Sequence, residues 1–400
     1  MDILRFTTAG NVDDGKSTLI GRLLHDTGSI KDDLLQAARS PDNDDLNLAF
    51  ITDGLRTERA EGITIDVAYK YFTTPHRKYI IIDSPGHFQY TKNLVTGASG
   101  ADVMIILIDA LNGITEQTKR HSLVALFLGI KHIVIAINKM DAVNYSEDVF
   151  TSTCNSFDDV AAKLFLPSVT YIPISALQGD NVISSSDKMQ WYNGIALLQY
   201  LEQCNPIVPD LKASRISIQY TDSSGRCFGK VLSGKIRTGE QLSVYPLKQT
   251  AALDRITIGY NDVDSAEAGN NVCIVLPGVV LKRGDVLSEI INAPIISSEF
   301  SMYCCWLNSD VEMKLHCSYF LKMHAAETII NVSEVIYKID TNTFEKVYDD
   351  KCVTVNEFAV LKITSQSPIA YDSFSDIPEM GRGILVDMET NHTVAAFIIL

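Results

Sequence analysis

The chain has 400 residues, with 34 Lys and Arg against 49 Asp and Glu, and a formal net charge of −15. That charge argues against a general nucleic-acid binder, whose surface is basic, although it does not exclude one basic groove. The length exceeds one ordinary domain, so two or three domains are expected. No signal peptide and no apolar run of ~20 residues are recognisable, so we expect a cytoplasmic protein with no membrane contact.

The first part of the chain, residues 1–205, has the pattern of an α/β domain. Five extended or apolar segments predict strands of a mostly parallel sheet that is covered on both faces. They are 3–8, 79–82, 103–108, 132–137 and 170–174. Helical spacing of apolar residues predicts helices on both faces of that sheet. These helices are 16–24, 115–128 and 195–204.

One further strand, at residues 63–72, differs from the others. Its large apolar side chains alternate, and a turn at 73–77 leads into the next segment. Alternation followed by a tight turn predicts a hairpin, so this strand is expected at the antiparallel edge. The preceding residues, 42–61, form a long insertion, and connections of that length are more often mobile functional loops than inert ones.

From residue 206 to the end, short alternating runs are separated by Gly-containing turns, which is typical of β-barrels. A break at 292–294 predicts two barrel domains, 206–292 and 293–400. The predicted strands are 215–220, 229–232, 241–245, 255–258, 271–276, 298–306, 328–336, 353–361 and 383–386. Cys304 and Cys305 lie in an apolar stretch, and we expect both to be buried free thiols.

A phosphate-binding pattern, G-x-x-x-x-G-K-[ST], lies between the first predicted strand and the first predicted helix. In that setting backbone N–H groups and the helix dipole surround an anion. The Lys16 ammonium would bind the β- and γ-phosphates of a nucleotide, and the Ser17 hydroxyl would bind Mg²⁺. The predicted loop consists of Gly10, Asn11, Val12, Asp13, Asp14, Gly15, Lys16, Ser17 and Thr18.

A carboxylate, a glycine and a histidine follow the second segment of the predicted sheet. Ligands of an open parallel sheet bind at the carboxyl ends of its strands, so Asp83 is placed to hold Mg²⁺ opposite Ser17. Gly86 lacks a Cβ and lets its backbone N–H approach a terminal phosphate. His87 would then lie near the attacking water, and we predict it as a catalytic residue together with Lys16.

The pattern N-K-x-D follows the fourth segment. The Asp141 carboxylate can accept hydrogen bonds from the N1–H and 2-amino groups of guanine, whereas adenine offers no such pair of donors. Asn138 can bond the base and brace the phosphate loop, and the stem of Lys139 can cover the base. The fifth segment is followed by Ser175-Ala176-Leu177, a backbone stretch suited to the guanine 6-oxo group. Together these residues predict guanine specificity.

Thr64 lies where the long insertion meets the edge strand. Its hydroxyl can reach Mg²⁺ and its backbone N–H a γ-phosphate, so loss of that phosphate would release the loop. The predicted metal ligands are therefore Ser17, Thr64 and Asp83, and Thr64 joins Lys16 and His87 among the catalytic residues. These signals, in this order, predict an α/β P-loop GTPase domain that hydrolyses GTP with Mg²⁺, followed by two β-barrel domains.

With these residues in hand, the chain resembles the translation-factor superfamily of GTPases, and within it the large GTPase subunit of sulfate adenylyltransferase. In the phosphate loop, Asp13-Asp14 stands where elongation factors typically carry Asp-His, and Ser17 stands where they carry Thr. The other stretches that carry the resemblance are 62–69, 89–99, 175–182 followed by Trp191-Tyr192, and 383–387 with 390–394.

The resemblance implies that GTP hydrolysis drives the uphill formation of adenylyl sulfate and pyrophosphate from ATP and sulfate. The adenylyl-transfer site would belong to a separate small catalytic subunit, in a heterodimer or a higher assembly. Two alternatives stay open. One is a translation factor that delivers aminoacyl-tRNA to the ribosome. The other is a regulatory GTP-binding module without useful hydrolysis, which Asp83, Gly86 and His87 disfavour.

Overall fold

The computed structural model describes residues 2–38, 46–52, 64, 66–205 and 213–400, with the backbone alone at Phe88. The chain divides into two compact units, Met1–Ile207 with Thr341–Phe344, and Val208–Asp340 with Glu345–Leu400. The predicted boundary at 205/206 adjoins residues outside the described ranges, and the division into three domains stays a prediction. Within the described ranges, no helix is long and apolar enough to cross a membrane.

Six strands form the sheet of the first unit. They are β1 (Ile3–Ala9), β2 (Ala68–Thr73), β3 (Lys78–Asp83), β4 (Val103–Asp109), β5 (His132–Asn138) and β6 (Val169–Pro173). Their order is β2-β3-β1-β4-β5-β6. All neighbours are parallel except β2 and β3, which pair antiparallel at the edge. The predicted mostly parallel sheet with one antiparallel edge strand is therefore confirmed.

The helices of this unit lie between its strands in the chain, except the last, which follows β6. They are α1 (Lys16–Asp26), α2 (Asp32–Ala37), α3 (Thr91–Ala98), α4 (Glu116–Phe127), α5 (Glu147–Leu164) and α6 (Leu197–Gln203). Single 3₁₀ turns occur at Ala49–Ile51, Phe88–Tyr90, Met140–Val143 and Asp187–Met189.

Both faces of the sheet are covered. On one face, Leu107 of β4 packs in one core with Leu23 of α1 and Leu201 of α6. Successive side chains of a strand point to opposite faces, so Met104 and Ile106 of β4 lie on the other face, where they are also fully buried. Helix α4 contacts β4. A strand buried on both faces explains why this segment reads as a continuous apolar run.

The predicted strand at 63–72 is longer than the strand that forms. Strand β2 begins at Ala68, while Thr64, Asp66 and Val67 lie outside any strand, and Ile63 and Ile65 are outside the described residues. The Asp66 carboxylate accepts a hydrogen bond from the Val67 N–H (2.7 Å), a local turn contact that competes with sheet pairing. The long insertion predicted at 42–61 is described only from 46 to 52.

The first barrel is an antiparallel sheet in the order β11-β10-β16-β7-β8-β15-β12-β13, with a separate β9–β14 pair. Its buried side chains, among them Ile216, Val231 and Leu287, form one core enclosed by the sheet. The strands are β7 (Arg215–Thr221), β8 (Cys227–Ser233), β9 (Lys235–Arg237), β10 (Gln241–Tyr245), β11 (Gln249–Ala252), β12 (Arg255–Ile258), β13 (Asn261–Val263), β14 (Ser265–Glu267), β15 (Asn271–Val275) and β16 (Val286–Glu289).

The second barrel is closed, because β18 pairs with both β22 and β19 in a sheet of order β18-β22-β23-β17-β21-β19-β20. Cys304 and Cys305 are fully buried free thiols, as predicted. The strands are β17 (Ile295–Trp306), β18 (Ser318–Met323), β19 (Ala326–Ile339), β20 (Lys346–Val347), β21 (Phe358–Tyr371), β22 (Arg382–Asp387) and β23 (Thr393–Ile399).

The predicted strand at 353–361 is wrong in its bounds, since β21 starts at Phe358 and runs to Tyr371. Asn356 has a φ of +66°, in the left-handed region that breaks a strand. Its N–H donates to the Trp306 carbonyl (2.7 Å), which fixes a turn before the strand begins.

Candidate functional site

The predicted phosphate loop connects β1 to α1. Gly15, with φ +93°, precedes the helix, and Asp13 also has a positive φ of 67°. A Cβ at Gly15 would collide with the Nδ2 atom of Asn138, so both conformation and space require glycine there. The Asp14 carboxylate accepts a hydrogen bond from the Asn11 N–H (2.5 Å). The loop is therefore closed on itself before α1 begins.

Lys16 is the first residue of α1, and its ammonium folds back over the loop. Its Nζ donates to the carbonyl oxygens of Gly10 (3.1 Å) and Asn11 (2.7 Å), and the residue is only 7% exposed. Burial lowers the pKa of Lys16, while the charges of Asp14 and Asp83 oppose that shift. An anion bound at the loop would stabilise the charged form of this lysine further.

A pocket beside the loop gathers residues from separate segments of the chain. The phosphate loop, Thr64 and the turn after β3 all contribute to its wall. All lining residues except Ala49 belong to the nucleotide site predicted from the sequence. The complete set of lining residues is Val12, Asp13, Gly15, Lys16, Ser17, Thr18, Ala49, Thr64, Gly86 and His87.

Asp83 and Gly86 lie on either side of the turn that follows β3. Asp83 is the last residue of the strand, is 2% exposed and pairs in register with Thr8 of β1. A Cβ at Gly86 would collide with the Gly10 carbonyl oxygen and with the Lys16 Nζ. The turn therefore packs directly against the phosphate loop, which a residue larger than glycine would prevent.

His87 forms part of the pocket wall and is half-buried. Its Nδ1 accepts a long hydrogen bond from the Gln89 N–H (3.4 Å), and its ring lies 6.1 Å from the ring of Tyr90, centroid to centroid. When Nδ1 is the acceptor, a neutral imidazole carries its proton on Nε2. Nε2 is then the donor of this side chain.

Asn138 joins the phosphate loop to the segment after β6. Its Nδ2 donates to the Asp14 carbonyl (2.7 Å), and its Oδ1 accepts a hydrogen bond from the Ala176 N–H (2.9 Å). The residue is 2% exposed, so both bonds are shielded from water. This is the bracing contact that the sequence predicts.

Asp141 and Ser175 join the two segments predicted to bind guanine. The Ser175 hydroxyl donates to Asp141 Oδ1 (2.6 Å), and Asp141 lies in the 3₁₀ turn Met140–Val143. Ser175 is fully buried, and its carbonyl accepts a hydrogen bond from the Gly179 N–H (2.7 Å). One carboxylate oxygen of Asp141 is thus held in place by the neighbouring segment.

Two residues that the sequence analysis does not single out contact predicted site residues. Asp109, at the end of β4, accepts a hydrogen bond from the Lys139 ammonium (2.9 Å). Arg22 of α1 donates from Nε to the Ala176 carbonyl (3.2 Å) and from Nη2 to the Leu177 carbonyl. Asp109 carries a usable signal, a carboxylate at a strand end, whereas no local pattern pairs Arg22 with a segment so distant in the chain.

The predicted metal ligands, Ser17, Thr64 and Asp83, offer two hydroxyls and one buried carboxylate. Mg²⁺ prefers oxygen ligands and is commonly held by one or two carboxylates together with phosphate oxygens and water. Among the described residues, no group of three or more His, Cys, Asp or Glu side chains could hold a metal ion. A site with few protein ligands, all oxygens, fits Mg²⁺ at a nucleotide.

Comparison with known proteins matches two stretches of the chain to family models and the whole chain to named relatives. Residues 1–208 match the family model described as elongation factor Tu GTP binding domain, and residues 299–400 match GTP-eEF1A C-terminal domain-like. Sulfate adenylyltransferase subunit 1 of Saccharophagus degradans is 40% identical over 100% of this chain and 87% of its own length. The protein of that name in Aeromonas hydrophila is 38% identical over 100% and 86%. The bifunctional enzyme CysN/CysC of Mycobacterium tuberculosis is 39% identical over 100% and 67%.

The fold and the site define a translation-factor-like GTPase, with a GTP-binding domain followed by β-barrels. Within that class, the chain belongs to the sulfate adenylyltransferase subunit 1 family. The resemblance found in the motifs is confirmed, as is the fold class predicted with it. The designation of its relatives as subunit 1 implies a partner subunit, and the aminoacyl-tRNA alternative is less supported.

Proposed function

We propose that this chain hydrolyses GTP to drive a partner subunit that forms adenylyl sulfate and pyrophosphate from ATP and sulfate. The observation that carries the proposal is the pocket that brings Thr64 and His87 together with Lys16 and Ser17. Polar residues from separate segments that line one pocket beside a phosphate loop are placed to act on what the loop binds, which supports the proposal. The relatives are named sulfate adenylyltransferase subunit 1, which supports a role in adenylyl sulfate formation together with a second subunit.

The triphosphate would lie along the phosphate loop, Gly10–Thr18. Backbone N–H groups and the N-terminus of α1 would bind its oxygens, and the Lys16 ammonium would leave the carbonyls it now contacts to bind the β- and γ-phosphates. Gly86 supports this arrangement, because its missing side chain leaves the turn after β3 in contact with the loop.

Mg²⁺ would be held by the hydroxyls of Ser17 and Thr64 and, through water, by the carboxylate of Asp83. Bound there, Mg²⁺ would neutralise negative charge on the phosphate oxygens. The burial of Asp83, at 2% exposure, supports this role, because a buried carboxylate needs compensating positive charge.

His87 would position the water that attacks the γ-phosphate. Its Nδ1 accepts the Gln89 N–H, which orients the ring and leaves Nε2 as the donor. The Thr64 backbone N–H would bind the γ-phosphate, so hydrolysis would remove that contact and release the segment that carries it. Such a release is the step through which the partner would sense hydrolysis.

Guanine would be bound by Asp141 through its N1–H and 2-amino groups, with the 6-oxo group at Ser175-Ala176-Leu177 and the Lys139 stem over the ring. The Ser175–Asp141 hydrogen bond supports this proposal, since it holds the carboxylate in one orientation while leaving its second oxygen for the base.

The partner would be the small catalytic subunit, in a heterodimer or a higher assembly, working in the cytoplasm. All eight cysteines, each within the described part of the chain, are free thiols, which suits a reducing compartment. The excess of acidic residues supports the expectation that the chain does not act on nucleic acid.

The test is sulfate-dependent pyrophosphate release by the purified complex of this chain with the small subunit, measured with and without GTP. We expect GTP to raise the yield of adenylyl sulfate and a non-hydrolysable GTP analogue to fail to do so. Undiminished adenylyl sulfate formation without GTP would contradict the coupling.

A base-exchange variant provides the matched control. Asp141→Asn replaces an acceptor of the 2-amino group by a donor, so the variant should lose activity with GTP. XTP carries a 2-oxo group in that place and should restore the activity of the variant. Hydrolysis of GTP that is stimulated by ribosomes, with no effect of sulfate or small subunit, would instead favour the translation-factor alternative.

A further inference from the structure

Asp109 is a buried carboxylate beside the predicted guanine site. It is the last residue of β4, its side chain is 5% exposed, and it pairs in register with Asn138 of β5. The Ala110 N–H donates to the Asn138 carbonyl (2.9 Å), so the ends of the two strands are fixed to each other. Asp109 therefore adjoins the residue that starts the N-K-x-D motif.

The carboxylate of Asp109 is held by three donors. Oδ1 accepts a hydrogen bond from the Leu111 N–H (2.9 Å), and Oδ2 accepts from Asn112 Nδ2 (3.0 Å) and from the Lys139 Nζ (2.9 Å). Two of these three donors belong to the turn that follows β4. The carboxylate thus has one orientation, and within the described part of the chain Lys139 is the one cation it pairs with.

Lys139 depends on this contact for its direction. Its backbone is in the left-handed region, at φ +63°, directly after β5, and its side chain is 35% exposed. A lysine side chain that is free in water has much rotamer entropy to lose when it is fixed in one orientation. The ion pair stretches the four-carbon stem from the end of β5 to the end of β4.

We propose that Asp109 is a positioning residue for the nucleotide, which holds the Lys139 stem in the orientation that covers the guanine ring. The inference rests on the proposed GTP site. A side chain that is already ordered loses little entropy when the base binds, so the ion pair strengthens nucleotide binding without touching the nucleotide. It does not act on the phosphates, and it should leave the chemical step unchanged.

The first variant is Asp109→Asn, which keeps the size of the side chain and one oxygen for the Leu111 N–H. We expect labelled GDP to dissociate about 3- to 10-fold faster, with the KM for GTP raised by a similar factor. The kcat at saturating GTP should stay at the wild-type value. A loss of kcat with unchanged KM would overturn the inference, and so would wild-type dissociation of GDP.

A double-mutant cycle separates positioning from a general structural effect. Lys139→Met keeps the apolar stem and removes the ammonium, so it should raise the dissociation rate of GDP by the same factor as Asp109→Asn. Adding Asp109→Asn to Lys139→Met should then have no further effect. Additive losses in the double variant would overturn the inference. If Asp109→Asn fails to fold, Lys139→Met alone still tests the inference. Dissociation of GDP from that variant at the wild-type rate would overturn it.

Base selectivity gives a readout that misfolding would not mimic. The lysine stem packs on any purine, so Asp109→Asn should weaken GTP and ITP equally and keep their KM ratio, whereas Asp141→Asn should change it. Glu116→Gln, which breaks the exposed Glu116–Arg120 pair (3.0 Å), is the matched control. It should change neither the KM values for GTP and ITP nor their ratio. If the wild-type chain binds no guanine nucleotide, the proposed function fails. If it binds and Asp109→Asn binds equally well, only the present inference fails.

Discussion

Arg215 and Asp372 form a bidentate ion pair that joins the two barrels. The Arg215 Nε donates to Asp372 Oδ2 and its Nη2 donates to Oδ1, both at 2.7 Å. Arg215 is 2% exposed, and its Nη1 donates to the Ser288 hydroxyl (2.9 Å) and the Asn292 carbonyl (2.8 Å). Because every donor group of this guanidinium has a partner, the charge is stable in a buried position.

We expect Arg215→Met to lower the free energy of unfolding by about 3 kcal/mol or more, because it leaves the half-buried Asp372 carboxylate without a cation. Denaturant titration followed by circular dichroism measures the change. Lys235→Met, which breaks the exposed Lys235–Glu267 pair (2.8 Å), is the control and should leave stability nearly unchanged. Equal losses of unfolding free energy in the two variants would contradict the prediction that the buried ion pair stabilises the protein more than the exposed one.

Gly86→Ala should weaken nucleotide binding and slow GTP hydrolysis. The added Cβ would meet the Gly10 carbonyl oxygen and the Lys16 Nζ, so the phosphate loop or the turn after β3 must move. Calorimetric titration with GDP and a steady-state phosphate assay would detect both effects. Gly100→Ala is the matched control, because a Cβ there meets nothing within 4 Å, and it should bind and hydrolyse as the wild type does.

His87→Ala should keep GTP binding and reduce turnover about 100-fold or more, because a group that positions or activates water contributes that much. Single-turnover hydrolysis measures the rate, and displacement of a fluorescent nucleotide measures the affinity. His76→Ala, at an exposed turn of the same unit, should change neither quantity. Wild-type turnover in His87→Ala would remove this imidazole from the mechanism.

Stability should fall in mild acid because His121 of α4 is buried in its neutral form. Burial, aided by the charges of Lys16 and Arg120, lowers the pKa of His121 from 6.5 to about 3. Between these values the unfolded chain binds the proton and the folded chain does not, so the free energy of unfolding decreases as pH falls below 6.5. The loss at pH 4.5 is on the order of 2 to 3 kcal/mol.

The measurement is the free energy of unfolding from pH 7 to 4.5, in the wild type and in His121→Gln. The variant should show a shallower slope, whereas His76→Gln, at an exposed position, should keep the wild-type slope. Burial also lowers the pKa of His324, to about 4, so His121→Gln removes part of the slope and not all of it. An unchanged slope in His121→Gln would show that His121 titrates normally in the folded chain.

Elements whose local pattern is strong could be predicted from the sequence, and contacts between distant segments could not. Strands β4 and β5 are uniformly apolar because both faces of the sheet are covered, and that leaves a clear signal. The true start of β2 depends on the turn at Asp66, and the start of β21 on the left-handed Asn356, which apolar alternation does not reveal.

The same contrast between local sequence patterns and contacts of distant segments holds for the candidate site. Motif residues such as Lys16 and Asp141 are recognisable because their spacing follows from the chemistry of phosphate and guanine. Arg22 became apparent only in three dimensions, since its contact with Ala176 spans 154 positions of the chain. Side chains that hold motif residues in place carry no spacing rule of their own.

The place of β1 in the sheet has a consequence for biosynthesis. This strand carries the phosphate loop at its end and is made before the other five strands of the sheet, yet it lies between β3 and β4, and the loop is braced through Asn138 to Ala176. Chains fold from their N-terminal parts as they are synthesised. We therefore expect a growing chain to hold guanine nucleotide firmly only after Ala176 has left the ribosome, while α6 and the remaining residues of this unit are still to follow.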